Sequence, residues 1–496
     1  MTSKPKIGVI GAGIGGLAAA AMLSRRADVI VFERASGPGG KIRQQAAGNH
    51  MIDCGPTVFT MLWVFEEIFR AAGADVREEL TLNPLDTLAR HVWRDRSGLD
   101  LYASVDQSAD AIAAFSSRED ADNYRTFCAE AQRVYQALET SLLTRPRANM
   151  LHLARAAGPA GLFTLKPFTT LWQHLSRRFQ DPRLVQLFGR YATYCGCSPF
   201  EAPATMMLIA HVEQSGVWTL EGGMGALARA LETVARRNGA EFVYDTAVER
   251  IEYAQDRVAA IHAGGRHWPV SAIVSNVDVS AVHAGDFGQG IKRAVPPPKS
   301  GGPRSQSAIT WTGLAETSGA PLAVHTVAFS DDYGAEFRAV FDQQKVPTLP
   351  TTYIFAPLAE QFDADTSDAQ PVFILINAPA NGDQHTLSEQ EIARCQDRML
   401  AHLETCGITL RPVAETLTAT TPDMFAARFP QTGGALFGRA GHSPLAPFRR
   451  PGARSKLPGL YLTGGSVHPG PGVPMAALSG RTAAETIMSD FDLTHA

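Results

Sequence analysis

Residues 7–33 constrain the fold more than any other stretch of this chain. Ile7-Gly-Val-Ile10 is a short apolar strand that runs straight into Gly11-Ala-Gly13-Ile-Gly-Gly16. Leu17–Leu23, with four consecutive alanines, then reads as a helix, and Val29–Phe32 is a second strand that ends on Glu33. Gly11 permits the tight turn, Gly13 lets the backbone approach a pyrophosphate, and Gly16 lets the helix pack closely on the strand. The helix N-terminus faces the phosphates. Glu33 lies twenty residues beyond Gly13, where a carboxylate can accept from a ribose hydroxyl. A glycine-rich turn that binds nothing would not need that acid. The pattern predicts a dinucleotide-binding α/β unit.

The next residues bear on which dinucleotide. Glu33-Arg34 is followed by Gly37-Pro-Gly-Gly40-Lys41-Ile-Arg43, and Asp53-Cys-Gly55-Pro56-Thr57 ends the next strand-like stretch. A second glycine cluster with cations suits a long dinucleotide whose pyrophosphate meets a second loop. The whole resembles the N-terminus of the FAD-dependent amine oxidase and phytoene desaturase superfamily. The resemblance implies FAD, with Arg34 and Gly40 among the cofactor contacts. It also implies Lys41 or Arg43 near the diphosphate, and Gly55, Pro56 and Thr57 near the flavin.

Two further pieces of chain are expected to complete the unit. Trp218–Met224 precedes a helix with apolar Leu227, Leu231, Val234 and Ala235, followed by strand-like runs at 242–244, 248–251 and 272–275. In relatives the position of Val248 contacts the adenine through backbone groups. Near the C-terminus, Gly459–Thr463 is an apolar strand ended by Gly464-Gly465. A loop from His468 through Val473, Pro474 and Met475 leads into a helix over 476–488, whose N-terminus would face the flavin. The expected fold is therefore α/β. It has a Rossmann-like, discontinuous FAD-binding domain (1–80, 218–285 and 440–496) and a mixed-sheet substrate domain (86–144 and 286–439). Strand-like runs at 307–311, 324–329, 351–355 and 372–376 support that sheet, and Ser388 with Glu391 makes a capping box for a helix over 389–405. Lys299–Arg304 reads as a mobile loop.

Residues 145–217 form the third expected unit, helical and membrane-facing. Within 145–190 there are eight basic side chains (Arg145, Arg147, Arg155, Lys166, Arg177, Arg178, Arg183 and Arg190) and one acid, Asp181. The whole chain carries net −4, so the excess is local, and nucleic acid is not an expected partner. Met150, Leu151, Leu153, Leu162, Phe163 and Leu165 interleave with these charges, and Phe168, Leu171, Trp172, Leu175 and Phe179 fall at helical spacing. A basic amphipathic surface suits anionic lipid, although a core-facing helix with a solvated basic back has the same pattern. No run of eighteen apolar residues is present, and no signal peptide is expected. The expectation is a cytoplasmic protein, peripheral on the inner or an intracytoplasmic membrane. The six cysteines read as reduced thiols, and no metal is expected.

Three further segments narrow the resemblance: Tyr191-Ala-Thr-Tyr194-Cys-Gly-Cys-Ser-Pro199, Ala210-His-Val-Glu213 through Trp218 to Met224, and His468-Pro-Gly-Pro-Gly-Val-Pro474. These resemble bacterial carotenoid desaturases of the phytoene desaturase type, over nearly the whole chain. Cys195-Gly-Cys197 and Gly464-Gly-Ser-Val-His468 look most like the hydroxyneurosporene desaturases (methoxyneurosporene dehydrogenases, or 1-hydroxycarotenoid 3,4-desaturases). The resemblance implies oxidation of a carbon–carbon single bond beside a polyene, with flavin as hydride acceptor. Gly465 stands where many superfamily oxidases carry an acid, and the C-terminal loop lacks an aromatic cage, which disfavours an amine substrate. His468, Glu213 and His211 are the candidate proton acceptors or orienting groups, against structural roles for each. Phytoene or neurosporene desaturation and carotene isomerisation remain as alternatives. So does a non-redox carrier of prenyl lipid, like the GDP-dissociation inhibitors.

Overall fold

The computed structural model describes residues 4–149, 155, 168–296, 303–362 and 368–493. At its centre is a five-stranded parallel sheet in the order Glu241–Val243, Asp28–Phe32, Lys6–Ile10, Ala272–Ser275, Leu460–Leu462. Parallel neighbours need crossovers, so strands distant in sequence become adjacent. Ile7, Val9, Val31 and Ile273 are buried, as a sheet covered on both faces requires. Helix Ile14–Leu23 is buried along its whole length. It is wedged between helices Met224–Arg237 and Val473–Asp490. The close approach depends on small residues: a Cβ on Gly480 would stand 2.1 Å from the Gly15 carbonyl oxygen.

A second, mixed sheet runs Ile408–Pro412, Ser307–Gly319, Gln370–Ala378, Thr352–Phe355, His325–Ala328, Thr87–Val92, Gly98–Tyr102. Its strands are antiparallel except that His325–Ala328 pairs parallel with Thr87–Val92. The capping box at Ser388 and Glu391 opens helix Glu389–Thr405, which packs its buried Met399 and Leu403 on the outer face of this sheet. Among the described residues, no helix is long and apolar enough to cross a membrane.

The basic segment departs from the expected amphipathic face. Thr170 caps a short helix, Leu171–Ser176, with a capping box to Gln173, and Asp181 with Pro182 starts another, Pro182–Gly189. Phe168 precedes the first cap and is 95% exposed, whereas Leu171, Leu175 and Phe179 are buried in the core. The caps break the continuous helix that the spacing suggested. Nor do the cations form one outward field. Arg178 pairs with buried Glu130 at 2.8 Å, Arg183 pairs with Asp181 at 2.7 Å, and Arg190 points inward. Met150, Leu151, Leu153, Leu162, Phe163, Leu165, Lys166 and Lys299 lie outside the described residues.

Candidate functional site

The first turn of the parallel sheet forms a cradle. Gly11 has φ of +94° and donates its N–H to the Phe32 carbonyl at 2.8 Å. A Cβ on Gly16 would lie 2.2 Å from the Gly11 carbonyl oxygen, and one on Gly13 would lie 2.6 Å from Asn276 Nδ2. Only glycine leaves that space open. The Glu33 carboxylate accepts from the Ala12 N–H at 2.7 Å and the Ala35 N–H at 2.9 Å, which fixes it at the cradle's edge. The second glycine loop lies directly on the first. Gly39 donates to the Ala12 carbonyl at 2.8 Å, and Gly40 approaches Gly13. Arg34 is exposed beside it.

The C-terminal strand delivers a second helix N-terminus next to the first. Gly464 donates its N–H to Ser479 Oγ at 2.8 Å, and Gly472, at φ of +113°, turns the chain into helix Val473–Asp490. Asn276, just past the end of strand Ala272–Ser275, sits between the first helix start and Gly464. Its Oδ1 would be 2.8 Å from a Cβ on Gly15 and 2.9 Å from one on Gly464. The Gly465 carbonyl accepts from Arg450 Nη1 at 3.0 Å.

Beyond these loops lies a cavity of about 1010 Å³, at the top of the roughly 300–1,000 Å³ usual for small-molecule sites. Gly55, Pro56, Thr57 and Pro469–Met475 form one wall. The inner face of the mixed sheet forms another. Register places Thr310, Leu375, Tyr353 and Val327 directly opposite one another across four strands. All four line the cavity, with apolar Met61, Leu138, Leu142, Ile209, Val212 and Phe373 around them.

Polar side chains gather on one part of this wall. Thr57 Oγ1 and Tyr353 Oη lie 2.6 Å apart, and Tyr353 Oη lies 2.8 Å from His325 Nδ1. Arg190 Nη1 donates to Tyr194 Oη at 2.9 Å, and its guanidinium stands over the rings of Tyr194 and Tyr353. Tyr191 and Tyr194 both donate to the Glu213 carboxylate, at 2.9 and 2.8 Å. Burial lifts the Glu213 carboxyl above its ordinary range, opposed by the two phenols and the Arg190 charge. Burial and the same charge push the His325 imidazole down to about 3, so it is neutral.

The flavin containing amine oxidoreductase family matches residues 14–488. The chain belongs to that family. A hydroxyneurosporene desaturase of Rubrivivax gelatinosus is 44% identical over 498 residues, covering 99% of this chain and 94% of its own. A 1-hydroxycarotenoid 3,4-desaturase of a Flavobacterium species is 28% identical, covering 97% of this chain and 98% of its own. The crystal structure of an oxidoreductase from Methanosarcina mazei superposes with a TM-score of 0.62 at 16% identity, covering 97% and 100%; that likeness concerns the fold alone. A flavin in a dinucleotide cradle is FAD. The open space at Gly11, Gly13 and Gly16 and the fixed Glu33 carboxylate fit it.

In this family member the expected site residues divide into three groups. Gly11, Gly13, Gly16, Glu33, Gly40, Gly464 and Gly465 converge on the cradle. Gly55, Pro56, Thr57, Val473, Pro474 and Met475 line the cavity, as do Lys41 and Arg43. Lys41 Nζ donates to the Leu436 carbonyl at 2.6 Å and stands over the Phe429 ring, and Arg43 donates to the Cys54 carbonyl. Both cations thus face the cavity. Val248 opens strand Val248–Ala254 and pairs with Ala263.

The three candidate proton acceptors do not share one site. On helix Leu208–Gln214, Ile209, Val212 and Glu213 share one face and line the cavity. His211 points elsewhere and packs on Tyr135, with 5.0 Å between centroids. His468 is buried, with Nε2 donating to the Leu142 carbonyl at 2.9 Å, and it is not among the lining residues. Sequence reading missed Asn276, Arg450, His325, Tyr333 and Tyr353 as site residues. Asn276 had a detectable signal, a polar residue at the C-terminal end of a buried strand; the others meet only through sheet register.

Proposed function

We propose that the protein is an FAD-dependent carotenoid desaturase that forms the C3–C4 double bond of a 1-hydroxy or 1-methoxy carotenoid. The carrying observation is the apolar cavity of about 1010 Å³ lined in part by the loops assigned to the flavin, with a polar cluster beside Thr57. The names and full-length coverage of the relatives support the same substrate class. Bound FAD supplies the hydride acceptor. The chain's own residues do the rest. Leu138, Leu142, Ile209, Phe373 and Leu375 exclude water and hold the polyene. Val473, Pro474 and Met475 close the cavity against the cofactor. Of the three candidate acceptors, we read Glu213 as the proton acceptor because it alone lines the cavity, with Tyr194 between it and Arg190. His468 is read as a positioning residue that ties the 464–475 loop to Leu142, and His211 as structural. The three-part domain division given by the sequence is retained in this reading.

The test is a panel of polyenes. FAD-loaded protein should red-shift the spectrum of 1-hydroxyneurosporene and leave phytoene unchanged. Product from phytoene and none from the hydroxylated compound would overturn the bond assignment. A colourless protein that binds polyene without turnover would favour a carrier.

Such a substrate lives in lipid, so we place the protein peripherally on a membrane. Exposed Phe168 and Leu445 both line the cavity and mark its opening. Wild type should float with anionic liposomes, and Phe168→Ala with Arg177→Glu should float several-fold less. Arg178 is unsuitable for this test because it neutralises buried Glu130. Equal flotation would remove the membrane assignment.

A further inference from the structure

We propose that the wall around Arg190, Tyr333 and His325 is a subsite for a neutral oxygen on the end group of the substrate, a hydroxyl or its methyl ether. This rests on the reading of the cavity as a carotenoid site and deepens it by naming what reads the end group.

The first observation is unmet hydrogen bonding. Tyr333 Oη and His325 Nε2 have no hydrogen-bond partner among the described residues. Both side chains line the cavity, and each residue is less than 5% exposed. Buried polar atoms are nearly always paired, and leaving one unpaired costs about 1–3 kcal/mol. Two of them near Arg190, in an otherwise apolar cavity, point to a ligand that completes them.

The second observation is charge. Arg190 carries five N–H donors, of which one is used within the described protein, on Tyr194 Oη. A lone buried guanidinium would call for an anion. Here Tyr194 links Arg190 to the Glu213 carboxylate, so the positive charge already has its counter-charge. What is left over is donor capacity without net charge, which suits a neutral oxygen better than a carboxylate.

The third is the Thr57, Tyr353, His325 chain. If Thr57 donates to Tyr353 and Tyr353 to His325 Nδ1, then Nε2 carries the proton and donates into the cavity. If the chain runs the other way, Nε2 accepts. The subsite therefore answers a hydroxyl in either role. It also lies beside Thr57, on the wall assigned to the flavin. An oxygen on C1 is two carbon–carbon bonds from C3, so a 3,4-desaturase needs its end-group contact close to the reacting bond. Holding the oxygen there sets which bond lies against the cofactor.

The experiment titrates FAD-loaded protein in the dark with 1-hydroxyneurosporene and with neurosporene, following the shift of polyene absorption on binding. Wild type is expected to bind the hydroxylated compound about tenfold or more tighter, the value of one satisfied buried hydrogen bond. Tyr333→Phe should remove about tenfold of that ratio. That oxygen has no protein partner, so the fold does not depend on it. Arg190→Met should remove it as well, and if that variant fails to fold the first variant still decides. Equal affinities in wild type, or an unchanged ratio in the Tyr333 variant, would overturn the subsite. Preferential binding without desaturation would sustain the subsite and overturn the proposed reaction.

Discussion

Arg190 illustrates how much one side chain can change a reading. In the sequence it is the last cation of a basic run. In the structure its charge lies within reach of several ionisable neighbours inside the protein. Together with burial it pushes His325 and His91 down to about 3. Both histidines are therefore neutral in the native state, whereas an unfolded chain protonates them near 6.5. Between those values the unfolded state binds more protons, so stability rises with pH across the window and is complete above it. Each contributes up to about 1.4 kcal/mol per pH unit. Denaturant midpoints should fall steadily from about pH 6.5 towards about pH 4, and His325→Phe should reduce that slope. A slope unchanged by the substitution would contradict the buried neutral histidine. The inward turn of Arg190 was not legible because a charge run has no period that says which member faces inward. The position of Glu33 at the edge of the cradle was legible because its place at a strand end, at a fixed distance from the glycines, is set locally.

Helix crossings decide whether the cradle forms. Helix Ile14–Leu23 starts against Asn276, and it meets helix Val473–Asp490 where Gly480 touches the Gly15 backbone. Gly480→Ala places a methyl 2.1 Å from a carbonyl oxygen that cannot swing aside. The expected cost is about 1–3 kcal/mol of stability, with weaker FAD retention. Gly98→Ala, whose Cβ would meet nothing nearer than 3.7 Å, is the control. Equal melting temperatures and flavin content in the two variants would show that the crossing is not tight. At this scale the sequence was informative wherever a signal was short-range, as with the capping box at Ser388 and the strand ending on Gly464. It failed at 168–179, where two successive caps interrupt a run whose apolar spacing suggested one helix. The cavity wall was equally hidden, since Thr310, Leu375, Tyr353 and Val327 become neighbours only through cross-strand register.

For the molecule as a whole, the parallel sheet supplies a rigid dinucleotide cradle and the mixed sheet supplies the floor of an apolar cavity. Exposed Phe168 and Leu445 line this cavity, as do the loops 55–57 and 469–475. On the proposed reading, that layout brings one end of a long hydrocarbon to the cofactor and keeps water away from the reacting bond. The most direct test of this layout is an anaerobic single turnover with FAD-loaded protein and 1-hydroxyneurosporene, reading flavin and polyene absorbance together. The expected result is one flavin reduced for each new double bond, with flavin bleaching and the polyene red shift sharing one rate constant. A red-shifted product formed while the flavin stays oxidised, or flavin bleaching without a longer polyene, would contradict it.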